Sequence, residues 1–185
     1  MSFLRVYRRR DDRTLEFREA WHDDDAAQFV VNRGTVGHVS TSEATDDVDA
    51  AAGEALLAAF AAQCSEDGFA EIPESEQHRV VAQFALKSEA GTERDRFLER
   101  QSVGALTAHL AWRGLGTVEG SEIGGGKLTI FTRCVDANTA VAAVKTCLRE
   151  ATADFTKISI AVAPPDAPDA FKLKHAPAGV RSFSL

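Results

Sequence analysis

The first part of the chain alternates apolar and polar residues in short runs, the pattern of half-buried β-strands. Such runs cover residues 3–7, 15–21 and 29–32, and polar turns separate them. A glycine turn over residues 33–37 then leads into a fourth predicted strand that ends at Val39. The pattern predicts an antiparallel β-meander at the start of the chain.

After residue 45 the spacing of apolar residues changes from two to between three and four, which predicts a helix. Thr45 is the predicted N-cap, Asp46 and Asp47 favour the first turn, and Gly68 follows the predicted C-terminus. The helix is predicted over residues 49–64. Its apolar residues at helical spacing are Val48, Ala52, Leu56 and Phe60.

Past residue 78 the patterns follow the order β-α-β-β-α-β. A strand over 80–86 precedes a helix over 93–112 capped by Thr92, and residues 115–135 form a hairpin around a glycine triplet. Asp136 caps the second helix, and a strand over 158–162 follows. Both helices are expected on one face of a four-stranded antiparallel sheet.

The predicted fold class is therefore α+β, with three parts. Residues 1–74 form the meander and helix, residues 78–163 form the second domain, and residues 164–185 form a proline-rich extended tail. Large apolar residues occur on both faces of the second sheet. We expect the meander, the tail or a partner chain to cover its second face.

Two resemblances follow from these patterns. Residues 31–37, VNRGTVG, stand in the signature position between strands and helix, and residues 67–71, DGFAE, follow the helix. Over residues 3–72 this order resembles a WGR domain, a module of poly(ADP-ribose) polymerases and many bacterial proteins. Known members use the signature Trp and Arg at a DNA end, whereas Arg33-Gly34-Thr35 stands here. The second half resembles ferredoxin-like domains.

Composition places the 185-residue chain in the ordinary globular class, with 44% hydrophobic and 26% charged residues. Residues 1–75 hold 7 Arg and no Lys against 16 acidic residues, a net charge of -9, which leaves +2 for the remainder of the total of -7. Nucleic-acid binding is therefore not expected. The one basic stripe is interleaved with Asp11 and Asp12 and consists of Arg5, Arg8, Arg9, Arg10 and Arg13. With neither a signal-peptide pattern nor a membrane-spanning run, we expect a cytoplasmic protein.

No candidate motif for catalysis, metal binding or cofactor binding has the residue spacing that its chemistry requires. Cys64, Cys134 and Cys147 form no C-x-x-C pair, and the consecutive residues 22–25, HDDD, point in different directions. The glycines of residues 114–127 precede a strand and miss both phosphate-loop spacings. We therefore predict no catalytic residue, no metal and no cofactor.

Two residue groups remain as candidate sites. A ligand-binding group around the hairpin comprises His109, Arg113, Glu119, Glu122 and Lys127. Glu119 and Glu122 are expected on opposite faces of one strand, because three positions separate them. A protein-interaction group on the outer face of the next strand comprises Thr129, Phe131, Arg133 and Val135.

These observations favour a non-catalytic protein-binding module of the bacterial cytosol, for example a regulatory or toxin-neutralising partner. A protein partner or a homo-oligomer is expected. The first alternative is a small-ligand-binding protein or enzyme that uses the hairpin over residues 115–135. The second is a degenerate DNA-binding WGR protein that uses the arginine stripe.

Overall fold

A computed structural model describes residues 3–185. Within them lie three α-helices and two antiparallel sheets, so the predicted α+β class is confirmed. The chain forms two compact units. The first runs to Ile72 and includes Trp112–Gly114; the second contains Pro73–Ala111 and Leu115–Leu185.

The first unit is a four-stranded meander with one helix on a face. The strands pair in chain order and are β1 (Phe3–Arg9), β2 (Leu15–Asp23), β3 (Gln28–Thr35) and β4 (Thr41–Thr45). Helix α1 (Ala50–Glu66) packs on this sheet. Its Leu57 and Phe60 pack against Ala20 and Phe29, so the apolar alternation of the strands forms the core with the helix.

Two predicted boundaries in this unit were wrong. Arg33–Thr35 extend β3, and the turn lies further on, where Gly37 has a φ of 90°. The fourth strand therefore begins at Thr41. Helix α1 is capped by Asp49, whose Oδ1 accepts a hydrogen bond from the Ala52 N–H at 2.8 Å, and not by Thr45.

The second unit contains the predicted β-α-β-β-α-β order and one additional strand. Its elements are β5 (His78–Ala85), α2 (Glu93–Ala111), β6 (Gly116–Gly124), β7 (Lys127–Cys134), α3 (Ala137–Ala151), β8 (Ile158–Ala163) and β9 (Lys172–His175), with short 3-10 helices at Glu74–Glu76 and Ala153–Lys157. The strand order is β6-β7-β5-β8-β9. The expectation of four strands was wrong, because part of the predicted tail forms β9.

Both long helices of this unit start at the predicted caps. Thr92 and Asp95 form a reciprocal box, in which Asp95 Oδ2 accepts from the Thr92 N–H at 2.8 Å and Thr92 Oγ1 accepts from the Asp95 N–H at 3.3 Å. Asp136 Oδ1 accepts from the Thr139 N–H at 2.8 Å. These caps satisfy amides that the helices leave unpaired.

The C-terminal tail lies across the face of the second sheet that the helices leave uncovered. Gln83 Nε2 and Lys127 Nζ both donate to the carbonyl oxygen of Ser184, at 3.2 and 2.8 Å. Phe171 and Phe183 of the tail contact each other in a tilted arrangement, with ring centroids 5.6 Å apart. We expected the meander, the tail or a partner chain to cover this face. Within the second unit, the tail covers it.

Candidate functional site

A β-bulge changes the predicted arrangement of the two hairpin glutamates. The register of β6 on β7 shifts between Val118 and Gly120, so Glu119 is the additional residue. One inserted residue moves the following side chains to the other face. Glu122 therefore lies on the same outer face as Glu119, and the expectation of opposite faces was wrong.

Glu119 is engaged in a structural ion pair on that face. Arg133 Nε donates to Glu119 Oε1 at 2.6 Å. Arg133 Nη1 also donates to the Glu74 carbonyl oxygen at 3.2 Å. Glu119 and Arg133 thus connect β6, β7 and the segment before β5, and the Glu119 carboxylate is already neutralised by its neighbour.

The remaining residues of the predicted interaction group are largely covered. Thr129 is buried and accepts from Gln83 Nε2 at 3.3 Å, Val135 is buried, and Phe131 is half-buried. Lys127, from the predicted ligand-binding group, is held by Ser184. The outer face of this sheet is therefore used largely for internal packing.

The predicted ligand-binding group does not converge on one site. Glu119, Glu122 and Lys127 share the outer sheet face. His109 is on α2, the helix that packs against the opposite face, where Glu99 of the same helix accepts from Ser121 Oγ at 2.7 Å. Arg113 belongs to the first unit, where its carbonyl oxygen accepts from the Gly37 N–H at 3.0 Å.

The cysteine thiols are buried. Burial raises the pKa of Cys134 to about 12, so this thiol stays protonated and weakly nucleophilic at neutral pH. Burial also raises the pKa of Cys64, while the neighbouring Arg18 opposes that shift. Among residues 3–185, no three His, Cys, Asp or Glu side chains cluster as metal ligands.

A small cleft near the start of α2 has ion pairs at its rim. It encloses about 110 Å³ over Phe84 and Leu98. Asp154 at its rim accepts from Lys157 Nζ at 2.7 Å and from Arg94 Nη2 at 2.8 Å. These two cations, Lys157 foremost, lower the pKa of Asp154 while burial opposes them. Three cations and two carboxylates line the cleft, so its positive charge is largely but not fully compensated.

The arginine stripe of the first unit is compensated in the same way. Three of its five members and two further arginines of the same sheet pair with carboxylates, in Arg5–Glu19, Arg8–Glu16, Arg10–Glu16, Arg18–Asp67 and Arg33–Glu43. An arginine that already faces a carboxylate releases few counterions from a nucleic acid. This surface therefore gives little support to DNA binding.

The candidate interface is an acidic surface of the first unit, which we call the acidic stretch and define as residues 34–72. It contains eight Asp or Glu residues and no Lys or Arg. It includes β4, whose five residues are all exposed, and α1, on which seven alanines are exposed, among them Ala55, Ala58 and Ala62. Leu56 on the same helix is 39% exposed. A negative surface with short apolar side chains is thus open to solvent.

No protein-family model, curated protein or solved structure matches this chain. Within residues 3–185, none of the helices has the length and apolar character needed to cross a membrane. The charge of the acidic stretch was visible in the sequence, whereas the exposure of β4 and α1 could not be read from it.

Proposed function

We propose that this chain is a non-catalytic protein-binding module that recognises a basic partner through the acidic stretch. The observation that carries the proposal is the absence of any Lys or Arg between Arg33 and Arg79, over a segment whose strand and helix are exposed. An unbalanced field of one sign steers an oppositely charged protein and disfavours like-charged ones.

Two further observations support this function over the alternatives. The candidate ligand-binding residues lie in two units or on two faces of one sheet, and carboxylates of the cleft near α2 compensate most of its positive charge. Three of the five arginines in the stripe expected to contact DNA, Arg5, Arg8 and Arg10, are paired with carboxylates. The resemblances to WGR and ferredoxin-like domains stay hypotheses about the fold.

We place this activity in the bacterial cytosol. Cys64, Cys134 and Cys147 are all free thiols, which is the state that a reducing compartment maintains. A regulatory or toxin-neutralising role would suit a small acidic binder. That role is proposed by analogy with other small acidic binding proteins. It can be tested once binding to a partner has been measured.

The test is affinity capture from a lysate of the source bacterium with the immobilised full chain. A variant that neutralises three exposed acids of the acidic stretch, Glu54→Gln, Glu66→Gln and Glu71→Gln, should lose the partner, and high salt should do the same. A matched control neutralises three exposed acids of the second unit: Glu89→Gln, Glu150→Gln and Asp166→Asn. Recovery of no stoichiometric partner, or equal losses with both variants, would contradict the proposed function.

A further inference from the structure

Strand β4 is an open edge of the first sheet. Among residues 3–185 its only strand partner is β3, with which it pairs without a register shift from Arg33 opposite Thr41 to Phe29 opposite Thr45. All five of its residues are exposed. Alternate N–H and C=O groups on its outer side are therefore available to another strand.

The opposite edge of the same sheet is partly covered. On β1, the Tyr7 N–H donates to the Ala70 carbonyl at 2.8 Å and the Ala70 N–H donates to the Tyr7 carbonyl at 2.9 Å. Strand β4, TSEAT, is short and carries one charged residue, Glu43, but it contains no proline, no lysine and no bulge.

Two exposed apolar side chains adjoin the beginning of β4. Val39 is 67% exposed and Trp112 is 45% exposed. The Ser40 N–H donates to the Trp112 carbonyl at 2.9 Å, which fixes the tryptophan backbone beside the segment that enters β4. A half-exposed, positioned tryptophan is a frequent energetic centre of protein interfaces.

Charge selects the kind of strand that could pair here. Glu43 on β4 is bonded to Arg33, but Asp46 and Asp47 follow the strand directly, and the acidic stretch offers no cation. Two copies of β4 paired edge to edge would bring two acidic stretches, with no Lys or Arg in either, against each other. A strand that carries Lys or Arg would face them favourably.

We infer that β4 and Trp112 form a β-addition site, which accepts an extended, Lys- or Arg-bearing segment of a partner protein as a fifth strand. Backbone hydrogen bonds to β4 provide affinity, and the acidic flank provides selectivity for basic segments. An apolar side chain of the added segment contacts Trp112. This inference rests on the proposed protein-binding function and assigns its contact surface.

The test uses a defined probe, a fluorescent ten-residue peptide that alternates arginine with threonine and valine, titrated against the full chain by anisotropy. Two further peptides carry N-methyl groups on the odd or on the even amides. Because only one set of amides faces β4, one methylated peptide should bind about tenfold more weakly or worse, and the other should bind like the parent. Equal affinities of all three peptides, or no binding of the parent, would overturn the inference.

Variants of the protein locate the contact. Thr41→Lys with Ala44→Lys should weaken binding of the parent peptide about tenfold. The same charge change at two exposed positions of α3 in the second unit, Asn138→Lys with Ala142→Lys, should have a much smaller effect. Trp112→Ala should also weaken binding, with Leu56→Ala as its control. Sedimentation that shows a dimer abolished by Thr41→Lys with Ala44→Lys would instead assign β4 to self-association and overturn the inference.

The two tests fail in distinguishable ways. If lysate capture depends on the acidic stretch while β4 variants bind the captured partner normally, the proposed function stands and the β-addition site falls. If neither capture nor peptide binding depends on the acidic stretch, both fall.

Discussion

Gly53 of α1 lies directly over the imidazole ring of His22 on β2. A Cβ built on Gly53 would stand 2.5 Å from Cγ of that ring. The ring is fixed from both sides, because Nε2 is 2.8 Å from the Val48 carbonyl oxygen and Nδ1 is 3.0 Å from Asp24 Oδ1. The glycine therefore permits the close approach of helix and sheet.

Gly53→Ala should destabilise the protein by about 1–3 kcal/mol, even though alanine is the better helix former, because overpacking outweighs a propensity gain of about 1 kcal/mol. Denaturant unfolding measures the effect. The control is Gly104→Ala on α2, where a Cβ meets nothing within 4 Å and a gain of up to about 1 kcal/mol is expected. Equal stabilisation by both substitutions would contradict the packing argument.

Gly53 and His22 show how much of the fold local sequence patterns can predict. Helical spacing predicted α1. From the sequence alone, a glycine inside this helix indicates only a lower helix propensity. The residue beneath it is 31 positions earlier in the chain, and the contact is decided by how helix and sheet pack. His22, which the sequence placed in a solvated turn, is instead a buried part of β2.

The candidate site was predictable only in its charge. The acidic stretch can be counted from the sequence, but the bulge at Glu119 and the cover of Thr129 cannot, because alternation alone does not show where a strand gains a residue or where a tail returns. The resemblance of residues 3–72 to WGR domains likewise predicted no contact surface on this chain. The open edge of β4 depends on the absence of a neighbouring strand, which is a property of the whole fold.

The position of the α1 cap gives a second prediction. Asp49→Ala should cost about 1 kcal/mol of stability, because the Ala52 N–H loses its acceptor. Thr45→Ala, at the cap predicted from sequence, should change stability by less than about 0.5 kcal/mol, since Thr45 is an exposed residue at the end of β4. Thermal unfolding of both variants measures the difference, and the reverse order of effects would restore Thr45 as the cap.

The Asp154 carboxylate should contribute a pH-dependent part of the stability. Lys157 and then Arg94 lower its pKa in the folded state from the ordinary value of 3.8. A carboxyl group with a lowered folded pKa stabilises above its unfolded pKa, and that contribution is lost as pH falls through the folded pKa. Asp154→Asn should therefore be destabilising at pH 7 and lose that deficit at pH values below the folded pKa.

Denaturant unfolding across this pH range, compared with the wild type at each pH, measures the effect. Asp166→Asn is the control, because Asp166 is exposed and its substitution should change stability little. A deficit for Asp154→Asn that is the same at pH 7 and at pH 3 would show that the ion pairs with Lys157 and Arg94 do not contribute.

Cys134 should resist alkylation in the folded protein. Its side chain is buried and its pKa is raised to about 12, so both access and thiolate concentration are low. Treatment with iodoacetamide at pH 8, followed by peptide mapping, should show modification only under unfolding conditions. A cysteine introduced at the exposed position Ala58 serves as the reactive control, and similar rates at both positions would contradict the buried placement of Cys134.

The tail should stabilise the second unit by covering its sheet. Phe183→Ala removes the ring that packs against Phe171 and should cost about 1–3 kcal/mol, with increased binding of a dye that detects exposed apolar surface. Amide exchange at Val81 and Gln83, on the covered face, should also accelerate. Leu185→Ser is the control, because Leu185 is 55% exposed. If Phe183→Ala leaves both stability and exchange unchanged, the tail does not protect this face, and the outer surface of β7 again becomes available to a partner.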